Sequence, residues 1–101
     1  MAIVWFWALA AMMERYDVNP DDVFDLVNAW VTATRPVWFR TATDPATGLT
    51  TFVLWGRPDN TNKPIAVYAR RKGRDTEVYA ARYLDADQIA EFEKWEATRN
   101  D

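Results

Sequence analysis

The sequence predicts an α+β domain: two N-terminal helices, a four-stranded antiparallel sheet in meander order, and a C-terminal helix, with the helices on one sheet face. Three observations carry this. Apolar residues recur at helical spacing before Thr34 and again after Leu84, while β-branched and aromatic residues dominate between them. The breakers within that middle region are short, which favours hairpins over crossovers. The chain has 101 residues, half of them hydrophobic, which fits one domain over 1–101 rather than two independent cores.

The first element is ambiguous. "IVWF" at 3–6 reads either as a short buried strand or as the start of the helix that the following Ala, Leu and Met residues favour. Leu9, Met12, Met13 and Tyr16 fall at i, i+3, i+4 and i+7, which predicts a helix over about 7–16. In "VNPDD", Asn19 is placed to cap, Pro20 occupies the first helical position, and Asp21 and Asp22 lie where the helix dipole favours negative charge. Val23, Val27 and Trp30 continue an apolar stripe, giving a second helix over about 20–31.

Four strands follow: "PVWFRTA" (36–42), "LTTFVLWGR" (49–57), "PIAVYARRK" (64–72) and "DTEVYAARY" (75–83). "DPATG", "RPDNTNKP" and "KGRD" separate them. In the closing "LDADQIAEFEKWEATRND", Asp85 is placed as an N-cap with Gln88 three residues on, and Ile89, Phe92 and Trp95 share one face.

Composition excludes several chemistries. The chain has no Cys, no His and no Ser, so Ser-His-Asp, Cys-His and zinc-hydrolase mechanisms are ruled out. Catalysis would fall to Asp, Glu, Lys, Arg, Tyr or Thr. The acidic clusters "NPDD" and "DADQIAEFE" read as helix-start signals and match no metal-binding spacing, so no metal ligand or cofactor is assigned. The opening "MAIVWFWALAAMM" lacks a basic leader and is too short to span a bilayer, so it reads as buried core. A cytoplasmic protein without membrane association is the resulting expectation.

Charge is uneven along the chain. Residues 1–34 carry a net −4, 35–62 a net +1, 63–82 a net +4 and 83–101 a net −4. Six of the twelve cations therefore sit in one hairpin region of an acidic protein. A two-residue turn at Gly73 and Arg74 would place Arg70 opposite Glu77, Tyr68 opposite Tyr79 and Ala66 opposite Ala81, with Lys72 and Asp75 flanking the turn. Arg70 and Lys72 then acquire carboxylate partners, Glu77 and Asp75. The other face, carrying Ile65, Val67, Ala69, Arg71, Thr76, Val78, Ala80 and Arg82, would pack on the helices. Arg71 and Arg82 would share that face, roughly 20 Å apart at about 3.3 Å per residue.

Two readings of the hairpin stay open on residue types alone. It is either a solvated sheet edge or a nucleic-acid surface, where cations neutralise phosphates and tyrosines stack on unpaired bases. RNA carries its own nucleophile, the 2′-hydroxyl, so Arg, Lys and Tyr can promote cleavage without metal or His by positioning it and stabilising the phosphorane.

From about Val4 to Trp95 the chain resembles the BrnT-type branch of the RelE and ParE toxin superfamily, small ribonuclease toxins of bacterial type II toxin-antitoxin pairs. "ERYDVNPDDVFDLV" (14–27) is similar to the family's K-H-G-V-x-x-E-x-V run, and "FVLWGRPDN" (52–60) to its h-h-G-x-t segment. "VYARR" (67–71) is similar to Y-T-x-R, and "VYAARYLDADQIAEFE" (78–93) to I-S-A-R-x-A-x-x-x-E. The resemblance implies a RelE-like sheet with helices, metal-independent mRNA cleavage without a cofactor, and a cognate antitoxin protein as partner. It makes Arg71 and Arg82 the motif arginines, with Tyr68 preceding the first. Motif order and the net +4 segment together give the expectation that Arg71 and Arg82 are catalytic, stabilising phosphate charge, while Tyr68, Arg70, Lys72, Arg74 and Tyr79 contact the RNA. Whether the acidic helices pair two copies or bind an antitoxin stays open on the sequence, which leaves a homo- or a hetero-oligomer.

The chain departs from the family pattern in places. Where the family has W-D-P-x-K, this chain has the uncharged "WFWAL" (5–9), and its His corresponds to Tyr16. These losses define the alternative expectation, a catalytically degenerate RelE-like domain acting as a protein-interaction module, with Trp38 or Trp55 as anchors.

Overall fold

Helix formation and strand pairing follow the local signals closely in the computed structural model, which describes residues 2–99. The elements are β1 (Ile3–Trp5), α1 (Leu9–Arg15), α2 (Pro20–Thr32), β2 (Trp38–Thr43), β3 (Thr50–Gly56), β4 (Ile65–Lys72), β5 (Asp75–Tyr83) and α3 (Ala86–Thr98). The α+β class holds. Asn19 caps α2 by accepting the Asp21 N–H at 3.0 Å. Asp85 and Gln88 form a reciprocal capping box at the start of α3, with bonds of 2.9 and 3.0 Å.

Three expectations are corrected. The sheet has five strands, not four, in the order β1-β5-β4-β3-β2, and it is mixed because β1 runs parallel to β5. "IVWF" is a strand because β5 would otherwise present an open edge. Its ladder runs through Thr76 N–H to Ala2 C=O at 3.0 Å and Phe6 N–H to Val78 C=O at 2.9 Å. Where β1 stops, α1 packs beside the remainder of β5.

The helices lie on both faces of the sheet, not one. Leu26 and Val27 of α2, with Leu9 and Met13 of α1, pack on Leu54, Ile65, Val67, Val78 and Ala81. Phe92 of α3, flanked by Ile89 and Trp95, packs on the opposite-facing Trp55 and Ala66 and on Leu84. Strands such as "FVLW" and "IAVYA" are apolar on both sides, so each side needs cover. The Trp38 and Trp95 rings stack there at 5.5 Å, and Arg57 grips Glu96 with two bonds of 3.2 and 3.1 Å.

The third correction concerns the β4–β5 register. Lys72↔Asp75, Arg71↔Thr76, Arg70↔Glu77 and Ala69↔Val78 pair as expected, but the next pairs are Tyr68↔Ala80, Val67↔Ala81, Ala66↔Arg82 and Ile65↔Tyr83. Tyr79 is the extra residue of a β-bulge. The slip exchanges every later side chain between faces. Without it, Arg82 would sit opposite Ile65 on the face that α2 covers, and burying an unpaired guanidinium there is costly. With it, Ala81 takes the buried position at 2% exposure and Arg82 turns to the α3 side.

Asp22 ties these layers together. It is fully buried at the start of α2, and its Oδ2 accepts from Thr61 Oγ1 at 2.6 Å and from the Tyr83 hydroxyl at 2.8 Å. The Tyr83 oxygen in turn accepts the Asn19 N–H at 3.2 Å. A carboxylate out of water needs such donors, and the helix N-terminus adds favourable dipole. Among the described residues, no helix is long and apolar enough to cross a membrane.

Gly56 lets α2 approach the sheet closely, because a Cβ there would collide with the buried side chain of Leu26. Gly56→Ala is therefore expected to destabilise the fold by about 1–3 kcal/mol through overpacking. Urea denaturation of the two proteins measures this, and an unchanged midpoint would show that α2 can shift freely.

Candidate nucleic-acid interface

Alternation along β4 sends Tyr68, Arg70 and Lys72 to the α3 side of the sheet, and β5 sends Glu77, Ala80 and Arg82 to the same side. Trp38, Val53, Trp55, Ala66 and Leu84 pack under α3, with Tyr68 half-buried at the edge of that cluster, and the part of this face nearer the hairpin turn lies beyond it. Gly73 makes the two-residue turn with φ of 64°, a conformation that favours glycine.

Glu77 organises the cations. Its side chain is only 5% exposed, and it accepts Arg70 Nε at 2.8 Å and Lys72 Nζ at 3.3 Å. The Arg70 hydrogen bond, with Lys72 behind it, outweighs burial and holds the Glu77 carboxyl below the usual range. Lys72 and Asp75 are register partners as expected, but the Lys72 ammonium bonds to Glu77 rather than to Asp75. A low-dielectric carboxylate on the same face draws both cations more strongly than one beside the turn. Two of the expected RNA contacts thereby share one carboxylate, which leaves the pair a net +1.

The tyrosines stay together despite the changed register. Tyr68 and Tyr79 are 6.5 Å apart between ring centroids, and the Arg70 guanidinium lies 4.7 Å over the Tyr79 ring. Tyr79 is on this side because it is the bulged residue. Burial raises its pKa despite the opposing charge of Arg70, so the phenol is neutral near pH 7 and serves as a donor or stacking surface, not as a base.

Arg82 is exposed and makes no hydrogen bond or ion pair with any described residue. With Tyr68 and Ala80 from the sheet, Met12 of α1 and Tyr16 at its C-terminal cap, it lines a shallow cavity of about 180 Å3. Arg71 is also exposed and unpaired; strand alternation starts its side chain toward the other face, but near the strand end it also borders the hollow lined by Phe6, Trp7, Arg70 and Lys72. It lies five residues along the ladder from the Arg82 position, roughly 16 Å at about 3.3 Å per residue. The structure does not bring Arg71 and Arg82 together, and their expected common face is an error of the assumed register. Arg74 stands exposed in the turn.

Two further expectations change. Trp38 and Trp55 are not surface anchors: they clasp the Arg40 guanidinium, which sits 4.2 and 4.1 Å from their ring centroids, and Trp38 stacks on α3. The opening apolar run is buried only in part. Leu9 and Met13 are core, whereas Trp5 is 39% and Trp7 87% exposed. Tyr16 was legible only as a helix-face residue, and nothing in "WFW" distinguishes its outward rings from its inward one.

No protein-family model, no curated protein and no solved structure matches the chain.

Because the folded Glu77 pKa is depressed, the stability it contributes is fully present above its ordinary value of 4.5 and is lost as pH falls through the lower folded value. Wild type should therefore melt above Glu77→Gln at neutral pH, with the gap closing in acid below pH 4.5. Melting curves across that range provide the check, and a gap independent of pH would contradict the assignment.

Proposed function

We propose that this domain is a RelE/BrnT-like toxin that binds single-stranded RNA on the open α3-side face and cleaves it in the bacterial cytoplasm, held in check by a cognate antitoxin protein. The observation that carries the reading is Arg82, an unpaired guanidinium beside Tyr16 and Tyr68 in an otherwise apolar groove. Arg82 would hold the scissile phosphate and stabilise the charge that develops on it. Tyr68, Tyr79 and Tyr16 offer ring surfaces for unpaired bases, and Arg70 is fixed over Tyr79 beside them. The attacking group is the RNA 2′-oxygen. It bonds to the adjacent phosphorus as the bond to the 5′-oxygen breaks, and with no His or Cys in the chain the protons pass to and from water. Arg71, on the other face, lies outside this step.

A second reading is favoured by a different surface. Trp5 and Phe24 meet edge to face at 4.9 Å, and with Trp7, Leu9, Ala10 and Met13 they line an apolar hollow of about 200 Å3. A catalytically degenerate RelE-like domain would use such a patch to contact protein.

Expression in a bacterium with mapping of RNA ends separates the two. Wild type should arrest growth and produce new RNA ends. Arg82→Ala should lower cleavage by about 10²–10³-fold while leaving the melting temperature unchanged, because Arg82 is exposed and unpaired. Folded wild-type protein that leaves growth and mRNA intact would remove the ribonuclease reading and favour the interaction domain.

A further inference from the structure

A second groove adjoins the first beyond Arg70. It is an open hollow of about 320 Å3, whose lining includes Trp7, Phe6, Arg71, Lys72 and Leu49. Trp7 is the most exposed aromatic of the described residues at 87%, and its ring lies 5.5 Å from that of Phe6. The Arg70 guanidinium bridges the two grooves, 5.3 Å from the Phe6 ring on one side and 4.7 Å from Tyr79 on the other. Rings and cations therefore alternate along a continuous band, from Arg82 through Tyr68, Tyr79 and Arg70 to Phe6 and Trp7.

The balance of charge in the second groove is positive: its lining holds Arg70, Arg71 and Lys72 against one carboxylate, Glu77, a net +2. Arg71 has no ion pair among the described residues, and the Lys72 side chain is 67% exposed despite its bond to Glu77. The Trp7 indole touches the Phe6 ring along one edge and leaves most of its surface to solvent, while an adjoining pair of accessible cations suits a phosphodiester.

The geometry points to Trp7 as a base-stacking platform and to Arg71 and Lys72 as its phosphate contacts, a second subsite for the single strand of RNA that crosses the Arg82 groove. This rests on the proposed RNA reading and assigns Arg71 a binding role where the sequence suggested a catalytic one. The band from the Ala66–Arg82 pair to Lys72 spans six residue steps along β4, roughly 20 Å at about 3.3 Å per residue, enough for several nucleotides.

Fluorescence anisotropy with a labelled twelve-nucleotide 2′-O-methyl RNA tests this on the full chain, because the modified strand lacks the nucleophile and stays intact. Trp7→Ala should weaken binding about fivefold or more, as loss of one stacked base does. Trp7→Phe should stay close to wild type, and Arg71→Ala should lower the slope of log affinity against log salt by about 1. Trp7 is exposed, so an unchanged melting temperature is expected for each variant. If Trp7→Ala binds like wild type while Arg82→Ala binds weakly, the subsite is overturned, Trp7 belongs with Trp5 and Phe24 on a protein-contact surface, and the RNA reading survives. If wild type itself does not bind, both fall.

Discussion

The bulge at Tyr79 is the constraint on which the rest of this molecule depends. It falls where β1 ends, immediately after Phe6 donates to the Val78 carbonyl, and α1 takes over the flank of β5 from there. One extra residue decides three things together. It hands the core position opposite Val67 to Ala81, it brings Tyr83 to the core side where its hydroxyl can reach the buried Asp22, and it delivers Arg82 to the opposite face. The alternative register would set a guanidinium against Ile65 and leave Asp22 with one fewer donor. The first of these is the heavier penalty, because an unpaired buried charge costs more than a lost neutral hydrogen bond.

The same bulge shapes the chemistry on the surface. A basic hairpin looks strong when its cations are counted and weaker once Glu77 has claimed Arg70 and Lys72. What remains is a band in which charge is metered out between rings: Arg82 near Tyr68 and Tyr16, Arg70 over Tyr79, Arg71 and Lys72 near Trp7. That spacing suits a flexible strand with a phosphate at each step better than it suits a single anion. The net charge of −3 therefore does not describe this hairpin, because most acidic residues belong to the two terminal segments of the sequence.

Much of this fold was legible in the sequence. The cap at Asn19, the capping box at Asp85, the turn at Gly73 and the four meander strands are local signals, each written in a few adjacent residues, and each appears where expected. The failures are all non-local. Whether Ile3–Trp5 is strand or helix depends on an edge of β5 more than seventy residues away. That both sheet faces need cover follows from apolar residues such as Trp55 and Leu54 standing side by side, a pattern that α3 satisfies but does not announce. The bulge has no glycine to mark it, and it is dictated by what Arg82 would otherwise meet. The candidate site inherited that error, so Arg71 and Arg82 were expected on one face and stand on two.

The proposed RNA-binding face is the central claim to test. Titrating 15N-labelled protein with a non-cleavable 2′-O-methyl oligoribonucleotide and following amide shifts would locate the contact. The account predicts perturbation at Tyr16, Tyr68, Tyr79 and Arg82, continuing toward Trp7, with the α2 residues beneath the sheet unmoved. Shifts confined to Trp5 and Phe24, or none at all, would contradict it.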